Sequence, residues 1–248
     1  MKIIVISNQR GGAGKTTTAA TIGQGLSKRG YKVLFIDLDG QGSLTSALNG
    51  NRNAPGSRDL LLGTTAADCI QKTAYGDLMS ASPYITGIDL QITSTGKEYR
   101  LAEGLKGIKN AYDYIIIDTP PVLSLSTINA FTAADSVIIP TQTDKFSLES
   151  LGQLYGTIET VRRYTNAKLT IDGIVITRYK GRALISQKYA DMLNATAQEL
   201  NTRVFAAKIR ECISIVESQA LNKSVFEYAP RSNAAADYNA LIDEIIAL

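Results

Sequence analysis

The chain has 248 residues, of which 44% are hydrophobic, and its formal net charge at pH 7 is +3. This length suits one α/β domain with a well-buried core, whereas so small a net charge says little about partners. The absence of histidine excludes histidine-based acid/base chemistry and histidine metal ligation, and the two distant cysteines, Cys69 and Cys212, exclude a disulfide framework or a zinc site.

Short apolar runs alternate with helical patterns along the chain. The predicted strands are Lys2–Ile6, Lys32–Asp37, Asp89–Thr93, Tyr114–Asp118, Ser136–Pro140 and Thr170–Thr177. The predicted helices are Thr16–Lys28, Glu98–Lys109, Thr127–Ala133, Ser147–Tyr164, Leu184–Leu200 and Ala234–Leu248, and Asn49–Asp59 is predicted to be a loop. The alternation predicts an α/β fold with a doubly wound, mostly parallel sheet and helices on both faces, in a single domain spanning residues 1–248.

The first strand leads into a glycine-rich segment that precedes the first helix. Glycines let the backbone turn tightly and aim its N–H groups at an anion, and the helix N-terminus adds the positive end of its dipole. At this spacing Lys15 reaches the β- and γ-phosphates of a nucleotide, and the Thr16 hydroxyl contacts Mg²⁺. The predicted phosphate-binding residues are Gly11, Gly12, Ala13, Gly14, Lys15, Thr16 and Thr17. The alternative, a turn without a ligand, needs only one or two glycines.

Carboxylates follow two further strands of the predicted sheet. Asp37 and Asp39 end the second strand, and Asp118 closes the apolar run Tyr114–Ile117. Ligands of open parallel sheets bind at the carboxyl ends of the strands, so these residues are expected to face the glycine-rich loop. Asp118 has the Walker B position, in which a carboxylate holds Mg²⁺ directly or through water. Aspartates also start turns, which is the alternative for Asp37 and Asp39.

Basic residues accumulate after the last predicted strand. From Arg178 to Arg210 the chain has seven basic residues and two acidic ones. Several phosphate-neutralising side chains on one surface give sequence-independent, salt-sensitive DNA binding, although a solvated basic face is the common alternative. The candidate DNA-binding residues are Lys180, Arg182, Lys188, Lys208 and Arg210.

Four segments together resemble one family of P-loop proteins. Arg10–Thr17 reads R-G-G-A-G-K-T-T, one residue from the deviant Walker A motif K-G-G-x-G-K-[ST]-T. Asp37–Thr45 is similar to D-x-D-P-Q-G-[NS]-x-T, with Gly40 in place of the proline, and Asp118–Pro121 is similar to D-x-P-P. The tail Val204–Leu241 resembles V-F-x-x-x-I-R followed by [FY]-x-Y-x-P-x-S-x-x-A-x-D-Y-x-x-L. The chain thus resembles the ParA/MinD superfamily and, within it, the ParA/Soj-type partition ATPases.

The resemblance implies a slow, partner-stimulated, Mg²⁺-dependent ATPase that uses ATP/ADP and Mg²⁺. It implies that Lys15, Asp39 and Arg10 are catalytic and that Asp39 positions the attacking water. It also implies that Thr16, Asp39 and Asp118 bind Mg²⁺. It places Thr177, Arg178 and Pro230 near the adenine. It further implies a homodimer with ATP, nonspecific DNA binding, a ParB-like partner and no membrane contact. We therefore expect a bacterial cytoplasmic, nucleoid-associated protein that segregates a plasmid, a chromosome or a mobile element.

One departure from the family pattern keeps alternatives open. Arg10 stands where the family has the lysine that reaches the partner's phosphates, so contact across the dimer, slower hydrolysis and weaker dimerisation are all compatible with it. Some relatives without this lysine position a protein cargo on the nucleoid. A MinD-like membrane switch needs a basic C-terminal helix, and residues 237–248 contain acids but no lysine or arginine. An iron–sulfur reductase would need cysteines beside the loops that contact the nucleotide, and neither Cys69 nor Cys212 is placed there. A tyrosine autokinase usually has a tyrosine-rich tail, which Tyr228 and Tyr238 do not make.

Overall fold

The carboxyl ends of six parallel strands meet at one edge of a seven-stranded sheet in the computed structural model, which describes residues 1–108 and 110–248. The spatial order is β3-β4-β2-β5-β1-β6-β7, and within the described residues only β3 runs antiparallel to its neighbour. The strands are β1 (Lys2–Ile6), β2 (Val33–Asp37), β3 (Gln71–Thr73), β4 (Gly76–Met79), β5 (Tyr114–Asp118), β6 (Ser136–Thr141) and β7 (Thr170–Ile176).

Helices cover both faces of this sheet. They are α1 (Lys15–Lys28), α2 (Ser43–Ala47), α3 (Ser57–Leu62), α4 (Arg100–Leu105), α5 (Leu125–Ala133), α6 (Lys145–Tyr164), α7 (Leu184–Glu199), α8 (Ile213–Ala220), α9 (Val225–Tyr228) and α10 (Asn233–Ile246). None of the helices in residues 1–108 and 110–248 is long and apolar enough to cross a membrane.

The two hydrophobic cores follow from the period of two in each strand. In β1, Ile3 and Val5 pack into the core under α4–α7, whereas Ile4 and Ile6 pack into the core under α1 and α10. Successive side chains of a strand point to opposite faces, so a strand that is apolar at every position is buried on both sides. The predicted doubly wound α/β fold is confirmed.

The predicted strand Asp89–Thr93 is wrong. Ile88–Leu90 forms a short 3₁₀ turn, with the Ile92 N–H donating to the Ile88 carbonyl at 3.0 Å. Ile88 and Ile92 are buried while Leu90 is 83% exposed, so the alternating pattern reflects a turn that buries every fourth residue. The strand beside β2 is instead β4, which is short and has only two apolar residues, Leu78 and Met79.

Two other predicted segments differ in extent. The predicted helix Glu98–Lys109 is an α-helix only over Arg100–Leu105, flanked by 3₁₀ turns, and Lys109 lies outside the described residues. The predicted loop Asn49–Asp59 ends earlier, because α3 begins at Ser57. The Gly56 N–H donates to the Asp59 carboxylate at 2.9 Å, which stabilises the start of this helix.

The strand order decides where the glycine-rich loop lies. β1 sits between β5 and β6, and its last residue, Ile6, pairs with Asp118 of β5, which in turn pairs with Asp37 of β2. The loop after β1 therefore emerges beside the two predicted carboxylates. This edge of the sheet is the position at which open α/β folds bind their ligands.

Candidate nucleotide and Mg²⁺ site

The loop between β1 and α1 has the geometry of a phosphate cradle. Gly12 and Gly14 have φ angles of +75° and +88°, which lie in the left-handed region that side chains disfavour. Gly14 precedes α1, and no side chain caps the start of this helix. A helix N-terminus without a side-chain cap directs backbone N–H groups toward an incoming anion. Residues 11–17 form this loop and the first turn of α1, and their contact with phosphate remains a prediction.

Two side chains from distant strands hold this loop in place. Gln142, just after β6, donates its Nε2 to the Gly12 carbonyl at 2.7 Å. The Thr177 hydroxyl, just after β7, donates to the Ala13 carbonyl at 2.9 Å and lies 3.1 Å from the Thr141 carbonyl. The family resemblance implies that Thr177 lies near the adenine and assigns no role to Gln142, because no local pattern links either residue to the loop.

Lys15 is buried near the carboxylates of Asp118 and Asp39. Its side chain is 7% exposed, and its Nζ donates to the Arg10 carbonyl at 3.0 Å. Burial lowers the pKa of Lys15, while the charges of Asp118 and Asp39 oppose this shift. An ammonium group held out of water interacts strongly with a phosphate that reaches it.

Thr16 and Asp118 fit the requirements of a Mg²⁺ site. The Thr16 hydroxyl donates to Asp118 Oδ2 at 2.6 Å, and Asp118 Oδ1 is buried without a hydrogen-bond partner among the described residues. Burial raises the pKa of Asp118 well above its usual value, and the nearby Asp37 raises it further. A buried carboxylate oxygen without a donor is suited to a hard cation, which prefers oxygen ligands.

The two aspartates at the end of β2 have different environments. Asp37 is fully buried and accepts hydrogen bonds from the Thr45 N–H (2.8 Å), the Thr45 hydroxyl (2.7 Å) and the Asp39 N–H (3.1 Å). Burial raises the pKa of Asp37 to about 6. Asp39 is half-buried, and its Oδ1 accepts the Gln41 N–H at 3.0 Å. Asp37 therefore supports the loop, whereas Asp39 is the carboxylate on the accessible side.

Arg10 contacts helix α6 of its own chain. Its NH1 lies 2.5 and 2.6 Å from the two Asp144 carboxylate oxygens and donates to the Ser147 hydroxyl at 3.0 Å. Its guanidinium carbon lies 5.8 Å from the centre of the Phe146 ring. Burial alone would raise the pKa of Asp144, but its hydrogen bonds and the charge of Arg10 bring it below the usual value. The Arg10 side chain is thus held against the start of α6.

A cavity of about 200 Å³ opens beside the start of α1. Thr177 and Arg178 line it and Pro230 does not, and contact with the adenine remains a prediction for all three. The other lining residues are Gly14, Thr17, Ile209, Arg210, Glu211, Cys212, Ile215, Val216, Gln219 and Tyr238. Such an enclosure with an apolar wall and a few polar groups suits a base. The wall formed by α8 was missed because no motif marks this helix.

The predicted DNA-binding residues differ in whether their charge is paired within the chain. Lys180 forms an ion pair with Glu211 at 3.0 Å, and Arg210 forms one with Asp237 at 2.6 Å. Lys208 lies with its ammonium 4.8 Å from the centre of the Tyr179 ring. Arg182 and Lys188 are exposed, and within residues 1–108 and 110–248 neither forms an ion pair. A role in DNA binding remains a prediction for all five.

Comparison with known proteins shows the family to which this chain is similar. A family model described as an AAA domain matches residues 1–171. The chain is 36% identical over 253 residues to the sporulation initiation inhibitor protein Soj of Bacillus subtilis, covering 99% of this chain and 98% of that protein. It is 35% identical over 244 residues to the chromosome-partitioning ATPase Soj of Thermus thermophilus, covering 98% and 95%.

A solved structure extends the comparison to the ligands. Cobyrinic acid a,c-diamide synthase from Mycobacterium smegmatis, crystallised with an ATP analogue and magnesium, is 29% identical to this chain and has a TM-score of 0.86, covering 99% of this chain and 94% of that one. The expected ligands ATP and Mg²⁺ are therefore confirmed at the level of the family. With the phosphate loop, the paired carboxylates and relatives matched over almost their full length, the chain belongs to the ParA/Soj family of partition ATPases.

Proposed function

We propose that residues 1–248 form a single ATPase domain that dimerises on ATP, binds DNA of any sequence and segregates a plasmid, a chromosome or a mobile element. A ParB-like partner stimulates hydrolysis and thereby releases the dimer from DNA. The protein then works on the nucleoid, in the cytoplasm of a bacterium. ATP controls the assembly because a ligand that prefers the dimer shifts the population toward it.

The surface around the phosphate loop carries this proposal. Gly11 and Gly12 are exposed, and the apolar side chains of Val122, Leu123 and Phe146 are 60%, 55% and 63% exposed. These residues follow β1, β5 and β6, which are adjacent strands, so they lie at the same edge of the sheet. An exposed apolar surface beside a nucleotide site is typical of an interface that forms when the nucleotide binds.

Hydrolysis within this surface requires positioning more than covalent chemistry. In this proposal Lys15 stabilises charge on the β- and γ-phosphates, and Asp39 orients the attacking water. Thr16 and Asp118 would hold Mg²⁺, which neutralises the developing phosphate charge. Asp37 keeps the turn that contains Asp39 against the end of β2. Arg10 reaches the partner subunit's nucleotide when its contact with Asp144 is exchanged for phosphate.

A chain of contacts links the phosphate loop to the basic surface. Gln142 holds the loop at Gly12, and the next residue, Thr143, is 3.0 Å from the Ser186 hydroxyl in the first turn of α7. Lys188 lies two residues further along the same helix, on its exposed side, whereas Ser186 lies on the buried side. A displacement of the loop on ATP binding is therefore transmitted to the helix that presents Lys188, which supports DNA binding controlled by ATP.

The C-terminal helix does not favour a membrane partner. In α10, the Glu244 carboxylate accepts the N–H groups of Ala206 and Ala207 at 2.9 and 2.7 Å, and Asp237 binds Arg210. Tyr238, Leu241 and Ile242 of the same helix are buried. The apolar face of α10 is thus occupied by the fold, and its polar face is acidic, whereas membrane-surface helices are basic.

The proposal is tested by oligomeric state and DNA binding in the same samples. We expect light scattering with a non-hydrolysable ATP analogue to show a dimer, and random-sequence duplex to bind only in that state, with affinity falling steeply with salt. With ADP the protein should be monomeric and should not bind. Lys15→Ala should lose both responses because it cannot bind the triphosphate productively.

Arg10 variants distinguish a specific role of Arg10 in the ATP-dependent dimer from the general effect of removing a positive charge. Arg10→Ala should weaken the ATP-dependent dimer, and Arg10→Lys, which restores the family residue, should retain or strengthen it. Arg163→Ala is the matched control, because it removes an exposed arginine from the far end of α6. An unchanged dimer in Arg10→Ala would refute the role of Arg10, and DNA binding that ignores nucleotide would refute the proposed switch.

A further inference from the structure

The turn that carries Asp39 lacks the proline found in the family pattern. The Gly42 N–H donates to the Asp39 carbonyl at 2.8 Å, which closes the turn, and residue 40 within it is glycine. Glycine has more backbone freedom than proline, so a glycine in this turn leaves the peptide planes around it less restricted. The position of Asp39 then depends on contacts from outside the turn.

Packing explains why residue 40 is glycine. A Cβ atom at Gly40 would lie 2.3 Å from Thr86 Oγ1 and 3.4 Å from the Pro83 carbonyl oxygen. A distance of 2.3 Å is shorter than real Cβ contacts, so a larger residue would force Thr86 to move. The segment after β4 therefore occupies the space that a proline ring would need in this chain.

Arg52 contacts this turn from the loop between α2 and α3. Its NH2 donates to the Gly40 carbonyl at 2.6 Å, and its Nε lies 3.4 Å from the Ala81 carbonyl. A Cβ atom at Gly42 would lie 2.5 Å from the guanidinium carbon, so the guanidinium group lies directly against Gly42. Arg52 thus connects the turn to the segment that follows β4.

The contact acts on the peptide group that holds the Asp39 carboxylate. The Gly40 carbonyl, which accepts from Arg52, and the Gln41 N–H, which donates to Asp39 Oδ1 at 3.0 Å, belong to the same peptide group. Because a peptide group is planar, fixing its carbonyl also fixes the direction of its N–H. Arg52 therefore restricts the orientation of the Asp39 carboxylate through one rigid plane.

The backbone beside Arg52 is itself anchored. The Asn51 N–H donates to Gln71 Oε1 at 2.7 Å, and Gln71 Nε2 donates to the Asn51 carbonyl at 3.1 Å. The Asn53 N–H donates to Asn51 Oδ1 at 2.9 Å. Gln71 is in β3, so the arginine extends from a point that is tied to the edge of the sheet.

We propose that Arg52 is a positioning residue for ATP hydrolysis: it holds the Gly40–Gln41 peptide so that the Asp39 carboxylate points at the attacking water. The inference depends on the proposed role of Asp39 and assigns Arg52 no contact with the nucleotide. It predicts a change in the rate of the chemical step without a change in nucleotide binding, because only the orientation of the carboxylate is altered.

The test compares kcat and KM for hydrolysis among Arg52 variants of the full chain. Arg52→Ala should lower kcat roughly tenfold with KM unchanged, as expected for a misplaced group that does not bind substrate. Arg52→Lys should recover part of the rate, since one ammonium can still donate to the Gly40 carbonyl. Arg58→Ala is the matched control, because Arg58 is a half-buried arginine of α3 that contacts Asp59 and Gln91 instead.

The outcomes test the role of Arg52 and the role of Asp39 separately. Unchanged kcat in Arg52→Ala, or a rise in KM that accounts for the loss, would overturn the role of Arg52. Equal losses in Arg52→Ala and Arg52→Lys would also overturn it. If Arg52→Ala fails to fold, Arg52→Lys carries the test: a lower kcat with unchanged KM supports the role, and a loss that lies in KM overturns it. Asp39→Ala is measured in parallel: if it hydrolyses ATP at the normal rate, the proposed role of Asp39 fails, whatever Arg52 does.

Discussion

The phosphate loop and the basic segment from Arg178 to Arg210 differ in what sets the positions of their charges. At the phosphate loop, strand register places Ile6, Asp118 and Asp37 side by side, and short hydrogen bonds fix the carboxylates. In the basic segment, side chains extend from the surface, and carboxylates from other parts of the chain pair with some of them.

This difference shows why the number of charged residues in a segment predicts a binding surface less well than strand register predicts a binding site. Seven basic residues between 178 and 210 suggested one surface, yet Lys180 and Arg210 already have carboxylate partners. Surface ion pairs are weak, so such partners reduce the field of a basic patch without excluding phosphate. The comparison can be tested at both regions.

The largest effect is expected where a buried hydroxyl connects the Asp37 carboxylate to the sheet. The Thr45 hydroxyl donates to Asp37 at 2.7 Å and accepts the Ala81 N–H at 3.0 Å. Thr45→Val keeps the shape but leaves both groups without this partner, so we expect the free energy of unfolding to fall by about 1–3 kcal/mol. Urea unfolding measures this change.

An exposed threonine provides the control for that substitution. Thr160 in α6 is exposed and its hydroxyl donates to the Gly156 carbonyl, one turn earlier, so Thr160→Val should change the free energy of unfolding by less than about 0.5 kcal/mol. If the two variants unfold at the same urea concentration, the buried network around Asp37 does not stabilise the fold.

A moderate effect is expected at the exposed basic residues. Arg182→Ala and Lys188→Ala should each reduce the slope of log affinity against log salt by about 0.9, if each loses one phosphate contact. Arg210→Ala should change the slope less, because its guanidinium is bound to Asp237. Fluorescence anisotropy with random duplex and an ATP analogue measures all three, with Lys168→Ala as the control. Equal slopes in all variants would place the DNA surface elsewhere.

The same contrast explains how much could be predicted from the sequence. The residues of the phosphate loop and Asp118 were predictable because a strand, a turn and a helix follow one another within a few residues. Gln142 and Arg52 were not, since each reaches its target from another segment, 130 positions from Gly12 and 12 from Gly40.

Errors in the fold have a related origin. The short strand β4 has two apolar residues and is not predicted, whereas the predicted strand 89–93 is a turn from which Ile88 and Ile92 face the core. This short strand depends on pairing with β2 and β3 rather than on its own pattern, so tertiary contacts override local preference there.

The smallest effect concerns the cavity beside α1, where Cys212 serves as the probe and the buried Cys69 as the reference. Burial raises the pKa of Cys69 to about 11, so its thiol should not react with iodoacetamide at pH 8. Cys212 lines the cavity and is partly exposed, and its hydrogen bond with Ser214 lowers its pKa. Its alkylation should therefore proceed first and should accelerate with pH below the usual thiol range.

A nucleotide in this cavity should protect Cys212. With the ATP analogue at its dissociation constant, half of the sites are occupied, so alkylation of Cys212 should slow about twofold, while Cys69 stays unmodified. Mass spectrometry of the digested protein measures both thiols in one sample, and Lys15→Ala should abolish the protection. Alkylation of Cys212 at an unchanged rate would mean that the base does not enter the cavity lined by Thr177, Arg178 and α8.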